Sequence, residues 1–196
     1  MPDSAPRPRE IDRPRIERAV REILRALGED PERDGLRETP TRVAGAYARL
    51  FAGLRENPAA SLDVSFPEDR PGTVLMRDVP FVSACEHHLV PFVGKAHVAY
   101  APAGRVVGFS ELVRLVEGYA RRPQLQERLT AQIADALHEV LGARGAFVVL
   151  EAEHTCMVVT GAQRPGTVAV TSAARGVYEE DAGLRSEVMA LISRGG

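Results

Sequence analysis

Two short stretches hold most of the reactive side chains of this 196-residue chain. One reads Cys85-Glu86-His87-His88, and the other, far along the chain, reads Glu153-His154-Thr155-Cys156. Between them they contain both cysteines and three of the five histidines. Thiolates and imidazole are the donors that zinc favours. Two cysteines and one histidine supply three ligands, where a structural zinc takes four, and three leave a position open, as catalytic ions require. Imidazole is the side chain best suited to proton transfer near neutral pH, and each stretch carries one histidine to spare. The pattern points to a hydrolytic zinc centre. Two blander readings compete with it. A disulfide needs an oxidising compartment, but the polar N-terminus MPDSAPRPRE does not resemble a signal peptide, so a reducing, cytoplasmic setting is expected. Buried bystander cysteines are common, but not two that each lie within three residues of a histidine.

Hydrophobic content of 44% is ample for a core. A net charge of -2 and a pI near 6.2 exclude a general nucleic-acid binder. No apolar run is long enough to span a bilayer, so no membrane partner is expected. Lys95 is the only lysine, every other basic side chain being arginine or histidine.

The elements that must position the reactive stretches follow from hydrophobic periodicity. Residues 1–10 are expected to be a disordered tail, 11–72 an N-terminal helical region and 73–196 the catalytic domain. Ile16, Val20, Ile23, Leu24 and Leu27 predict a helix from Ile11 to about Leu27. A second should start at Thr39-Pro40, with Thr39 as N-cap and Val43, Tyr47, Leu50 and Leu54 inward. Residues 74–80 and 94–101 read as strands, with the first reactive stretch between them. Ser110 should cap a helix carrying Leu112, Leu115 and Val116. Pro123 should open another with Leu125, Leu129, Ile133, Leu137 and Val140 inward. Residues 147–159 and 167–172 read as strands, and 183–193 as a closing helix. The order strand, strand, helix, helix, strand, strand predicts an α+β domain, an antiparallel sheet with helices on one face. Oligomerisation would cover the other face.

Three motifs then carry a family likeness. They are Ser83-Ala84-Cys85-Glu86-His87-His88-Leu89-Val90-Pro91-Phe92, Arg122-Pro123-Gln124-Leu125-Gln126-Glu127-Arg128-Leu129-Thr130, and Glu151-Ala152-Glu153-His154-Thr155-Cys156-Met157. With Glu38-Thr39-Pro40-Thr41-Arg42 upstream, they closely resemble GTP cyclohydrolase I. The resemblance implies a tunnelling fold (T-fold) and a toroidal homodecamer with active sites at subunit interfaces. It implies zinc-dependent conversion of GTP to 7,8-dihydroneopterin triphosphate and formate. Cys85, His88 and Cys156 resemble the zinc ligands, His154 the acid–base group and His87 a second proton shuttle. Gln126 and Glu127 resemble the guanine reader, since one carboxylate can accept both N1–H and N2–H of guanine. Taken as residues alone, Glu127 and Arg128 read equally as solvated helix charges. Ser110, Arg42 and Arg114 resemble ribose or phosphate contacts, although Ser110 is also a plain N-cap.

Four positions depart from the likeness. Where the family usually carries a basic residue, this chain has Gly45, Glu111, Thr160 and Val168. Arg42 and Arg114 match expected phosphate ligands, leaving Arg164 and Arg175 unassigned. Charge-assisted bonds are worth about 1.5–3 kcal/mol each, so losing two or three corresponds to roughly 10³–10⁴ in affinity. Two enzymatic expectations follow. One is an ordinary GTP cyclohydrolase I with a thinned phosphate site. The other is a repurposed paralogue that acts on a less phosphorylated guanine or related purine derivative, or stops at the ring-opened formamide. A zinc nucleobase deaminase would need His-x-Glu and Pro-Cys-x-x-Cys, which are absent. A non-catalytic scaffold has little use for His87 and His154 beside an open metal position.

Overall fold

The computed structural model describes residues 10–70, 72–162 and 166–194. The tail expected at 1–10 therefore falls, apart from Glu10, outside the described residues, as does Arg164. Helix α1 (Arg13–Ala26) starts at Asp12, whose carboxylate accepts from the Arg15 N–H. It packs along α2 (Thr39–Leu50) and buries none of its own residues. Thr39 is not the N-cap expected of it. Glu38 holds that position with helical backbone, and the Thr39 hydroxyl donates back to the Gly35 carbonyl. Two 3₁₀ turns, Ala52–Arg55 and Pro58–Asp63, then press against helix α3 (Phe109–Ala120). The approach requires glycine, because a Cβ on Gly53 would lie 2.2 Å from the Gly118 carbonyl oxygen.

The main sheet has the order β5-β2-β3-β6-β7, with β2 (Val74–Cys85), β3 (Pro91–Ala101), β5 (Pro123–Gln124), β6 (Gly145–His154) and β7 (Val168–Gly176). All pairs are antiparallel except β2–β5. A separate ribbon pairs β1 (Ser65–Pro67) with β4 (Arg105–Val107). Strands β2 and β3 are longer than expected, because a tight turn rather than an open loop joins them around Glu86 to Val90. Strand β6, expected to continue through Val159, stops at His154. Its partner β3 begins at Pro91, which has no N–H to extend the ladder. Thr155–Val159 instead coils into α5, with the Thr160 hydroxyl donating to the Cys156 carbonyl. Pro123 does not open a helix either. It lies in β5, and α4 (Gln126–Asp135) starts three residues later. A π-helical turn, Ala136–Val140, follows α4 and rotates Val140 outward.

Helices α3 and α4 lie on one face of the sheet. Leu112, Leu115, Leu129 and Ile133 pack there on Val98, Tyr100, Val148 and Leu150. Strand alternation sends Ala99, Phe147 and Val149 to the opposite face. There α6 (Val177–Glu180) and α7 (Ala182–Ser193) bury Tyr178 and Val188 against them. The chain thus covers one end of that face itself, which the sequence had left to oligomerisation. The rest, around Val93, Lys95, Glu151 and Glu153, stays open and lines a cavity of about 960 Å³. No helix among the described residues is long and apolar enough to cross a membrane.

A bulge in β2 supplies a pH-sensitive contact. Asp78 takes a left-handed φ of 58° where the register slips between Met76 and Val79. Its N–H donates to Nδ1 of the buried His97 at 3.3 Å. Burial lowers the His97 pKa against the opposing pull of Glu151 and Asp78, with Lys95 and Arg77 reinforcing the fall. The unfolded chain therefore takes up this proton first. The associated stability is complete above the ordinary histidine pKa of about 6.5 and is lost as the pH falls below it. His97→Asn, which keeps an acceptor but cannot titrate, is expected to show a smaller drop in Tm than the native protein between pH 7.5 and 5.5. Equal drops would contradict this assignment.

Candidate active site

The turn after β2 and the start of α5 bring the three expected ligands together. One donor atom each from Cys85, His88 and Cys156 lies within 4.8 Å of the others. Both cysteines are free and buried, and Cys85 Sγ is 3.6 Å from His88 Nδ1. The Cys156 pKa is raised, first by burial and then by its hydrogen bond to Cys85. Sulfur, nitrogen and sulfur converging on one point make a donor set able to hold a single soft or borderline divalent metal. His87 is exposed and stands edge-on to His88, their ring centroids 6.2 Å apart.

His154 ends β6 directly opposite Phe92 of β3, and their rings stack at 4.4 Å and 9°. Its Nε2 is 2.7 Å from Gln126 Oε1. Gln126 is 3% exposed, and its amide nitrogen donates to the carbonyls of Leu150 and Ala169. Those two bonds fix which way the amide faces, so its oxygen must accept from His154 Nε2–H. Nδ1 is then the atom left to exchange a proton. The pKa of His154 is lowered, mainly by burial with Glu127 opposing, which favours the neutral ring. Gln126, expected as half of the guanine reader, is thus placed in the core as the tether of His154. Glu127 points elsewhere, into a cleft of about 530 Å³ with Thr171, Ser172, Arg175 and Arg185.

Three comparisons place the chain among known proteins. The GTP cyclohydrolase I family profile matches residues 16–193. The chain belongs to the GTP cyclohydrolase I family. Proteins named GTP cyclohydrolase 1 are close relatives. That of Corynebacterium aurimucosum is 55% identical over 98% of this chain and 99% of its own length. Those of Thermobifida fusca, with 97% and 93% covered, and Geobacillus kaustophilus, with 93% and 98%, are each 56% identical. Among solved structures, an apo archaeosine synthase QueF-Like aligns at TM-score 0.46 and 18% identity, covering 55% of this chain and 97% of that one. The T-fold expectation accords with the observed antiparallel sheet and its two intervening helices.

In this GTP cyclohydrolase I family member the Cys85, His88 and Cys156 donors come together, but the other expected contacts lie apart. Gly108, not Ser110, is the cap residue of α3, and no side chain caps that helix. Arg114 lines a second cleft with Ser61, Glu111 and Glu117, away from Glu127. Arg42 is exposed on α2 and bonds Glu38. Of the spare arginines, Arg175 is engaged by Asp135 at 2.6 Å. Two contacts around these residues went unread in the sequence. Phe92 supports the His154 ring, and Arg128 grips Glu86. The first follows from register, because Phe92 opposes His154 once the antiparallel β3–β6 pair is aligned.

Proposed function

We propose that the protein is a zinc-dependent GTP cyclohydrolase that opens the imidazole ring of GTP at C8 and yields formate and 7,8-dihydroneopterin triphosphate. The carrying observation is the Cys85–His88–Cys156 cluster beside a tethered His154, in a chain whose relatives are named GTP cyclohydrolase 1. The three residues would hold zinc, which supplies the Lewis acidity that makes water a nucleophile near neutral pH. Phe92 and Gln126 hold the His154 ring so that Nδ1 faces the purine, where it takes a proton from the attacking water and passes it to the opening ring. His87, exposed beside the cluster, serves as the second proton carrier. Glu127 accepts N1–H and N2–H of guanine, fixing C8 relative to the cluster. Glu127→Gln is expected to raise KM for GTP roughly 10–100-fold by removing a charge-assisted pair. An unchanged KM in steady-state kinetics would contradict the guanine role.

The complete site is read as shared between copies. Arg114, expected at the phosphates, lines a different cleft from Glu127 of the same chain. Helix α1 buries nothing. Beyond Ala84 and Cys85, β2 pairs only with β3, and β7 pairs only with β6, among the described residues. Open edges at both ends of a sheet suit head-to-tail closure into a ring, a decamer by family resemblance. Ligand thiols need a reducing compartment, which supports a cytoplasmic location.

A second reading concerns the phosphates and rests on Glu111. Its carboxylate is nearly buried and takes Arg114 Nη1 at 2.7 Å. The arginine assigned to phosphate thus already holds an anion, and Glu111 repels any other. This favours a substrate with fewer phosphates than GTP. The test compares GTP, GDP, GMP and guanosine on native and Glu111→Lys proteins. A native preference for GTP supports the first reading. A flat or reversed series, with Glu111→Lys raising GTP over guanosine about tenfold or more, supports the second.

A further inference from the structure

We propose that Arg128 is a positioning residue, clamping the metal-binding turn to the first turn of α4 through Glu86. Its Nη1 donates to Glu86 Oε2 at 2.6 Å and its Nη2 to Glu86 Oε1 at 3.1 Å. This is a two-pronged bond between elements 42 residues apart. Glu86 sits between Cys85 and the His87–His88 pair, so whatever fixes it fixes the ligand turn.

That turn needs an external hold. The N–H groups of His88 and Leu89 both fold back onto the Cys85 carbonyl. Leu89 is forced to φ 55°, a region that side chains with a Cβ occupy at a cost. A strained turn relaxes unless its surroundings over-determine it, and β5 contributes only one tie, Glu86 N–H to the Gln124 carbonyl. From α2 the Tyr47 hydroxyl reaches the Leu89 carbonyl only at 3.5 Å, and Arg128 supplies the short, charge-assisted tie.

The placement on α4 gives the clamp its meaning. Gln126 holds His154, Glu127 lines the neighbouring cleft, and Arg128 holds the ligand turn. Three consecutive residues of one helical turn thus set the proton carrier, the substrate contact and the metal ligands in a common frame. An ordinary exposed ion pair would do little of this. A fork-to-carboxylate bond constrains orientation as well as distance, which a lysine cannot reproduce.

The proposal rests on the reading of Cys85, His88 and Cys156 as zinc ligands. It is tested on metal-free protein by competition for zinc against a chromophoric chelator, with thermal unfolding in parallel. Arg128→Met is expected to weaken zinc binding about 10–100-fold, as loss of a group supporting a metal ligand does, while Tm changes little. Arg128→Lys, which keeps the charge but not the fork, should lose most of the same affinity. Glu86→Gln combined with Arg128→Met should be no weaker than the worse single variant, because both break one contact. Native zinc affinity in folded Arg128→Lys, or losses that add in the double variant, would overturn the clamp. A native protein that takes up no zinc would overturn the metal reading itself, which separates the two failures.

Discussion

Replacing His154 with alanine is expected to lower turnover about 10²–10⁴-fold, the usual contribution of a positioned acid–base group, with zinc content unchanged. The expectation follows from how the ring is held. Register sets it opposite Phe92, the stack fixes its plane, and Gln126 fixes its tautomer. None of these contacts involves a metal donor atom, so their loss need not empty the metal site. Gln126→Leu supplies the matching control. It leaves the imidazole in place but frees its tautomer, so kcat should fall with KM for GTP little changed. Zinc-loaded His154→Ala that retains native turnover would remove His154 from the chemistry.

Replacing Cys156 with alanine should have a larger effect still. It removes one of the three donors outright, so zinc affinity should fall by more than the 10–100-fold typical of outer partners, and turnover should vanish with the metal. The Cys156 thiol pKa is raised by burial, so metal uptake by the native protein must displace its proton and should weaken as the pH falls. Zinc analysis after dialysis against a chelator checks both statements. A Cys156→Ala protein that keeps one zinc per chain would move the third ligand elsewhere.

The sequence made the donor cluster legible because its chemistry is local. Each donor sits in a four-residue cluster, and no other part of the chain offers soft ligands in that density. Most elements were legible for a similar reason, since α3, α4 and the central strands carry clean apolar periods. The misreadings share one cause, which is that backbone hydrogen bonding overrode side-chain preference. The β-branched run Val158-Val159 suits a strand, yet β6 stops because Pro91 ends its partner. Pro123 suits a helix start, yet its segment pairs with Ala84 and Cys85 as β5. Gln126 shows the limit from the other side. Its residue type allows a ligand contact, and only tertiary placement shows both ends of its amide already committed. The Glu86–Arg128 clamp joins segments distant in sequence, and neither residue announces the other.

The most direct measurement is formate release and pterin fluorescence, followed together, when zinc-loaded protein is given GTP. The account predicts that both rise with matching kinetics and that both cease when a chelator removes the metal. Formate without fluorescence would mean the reaction stops at the ring-opened stage. Neither signal, from protein shown to hold zinc, would contradict the assignment of GTP as substrate.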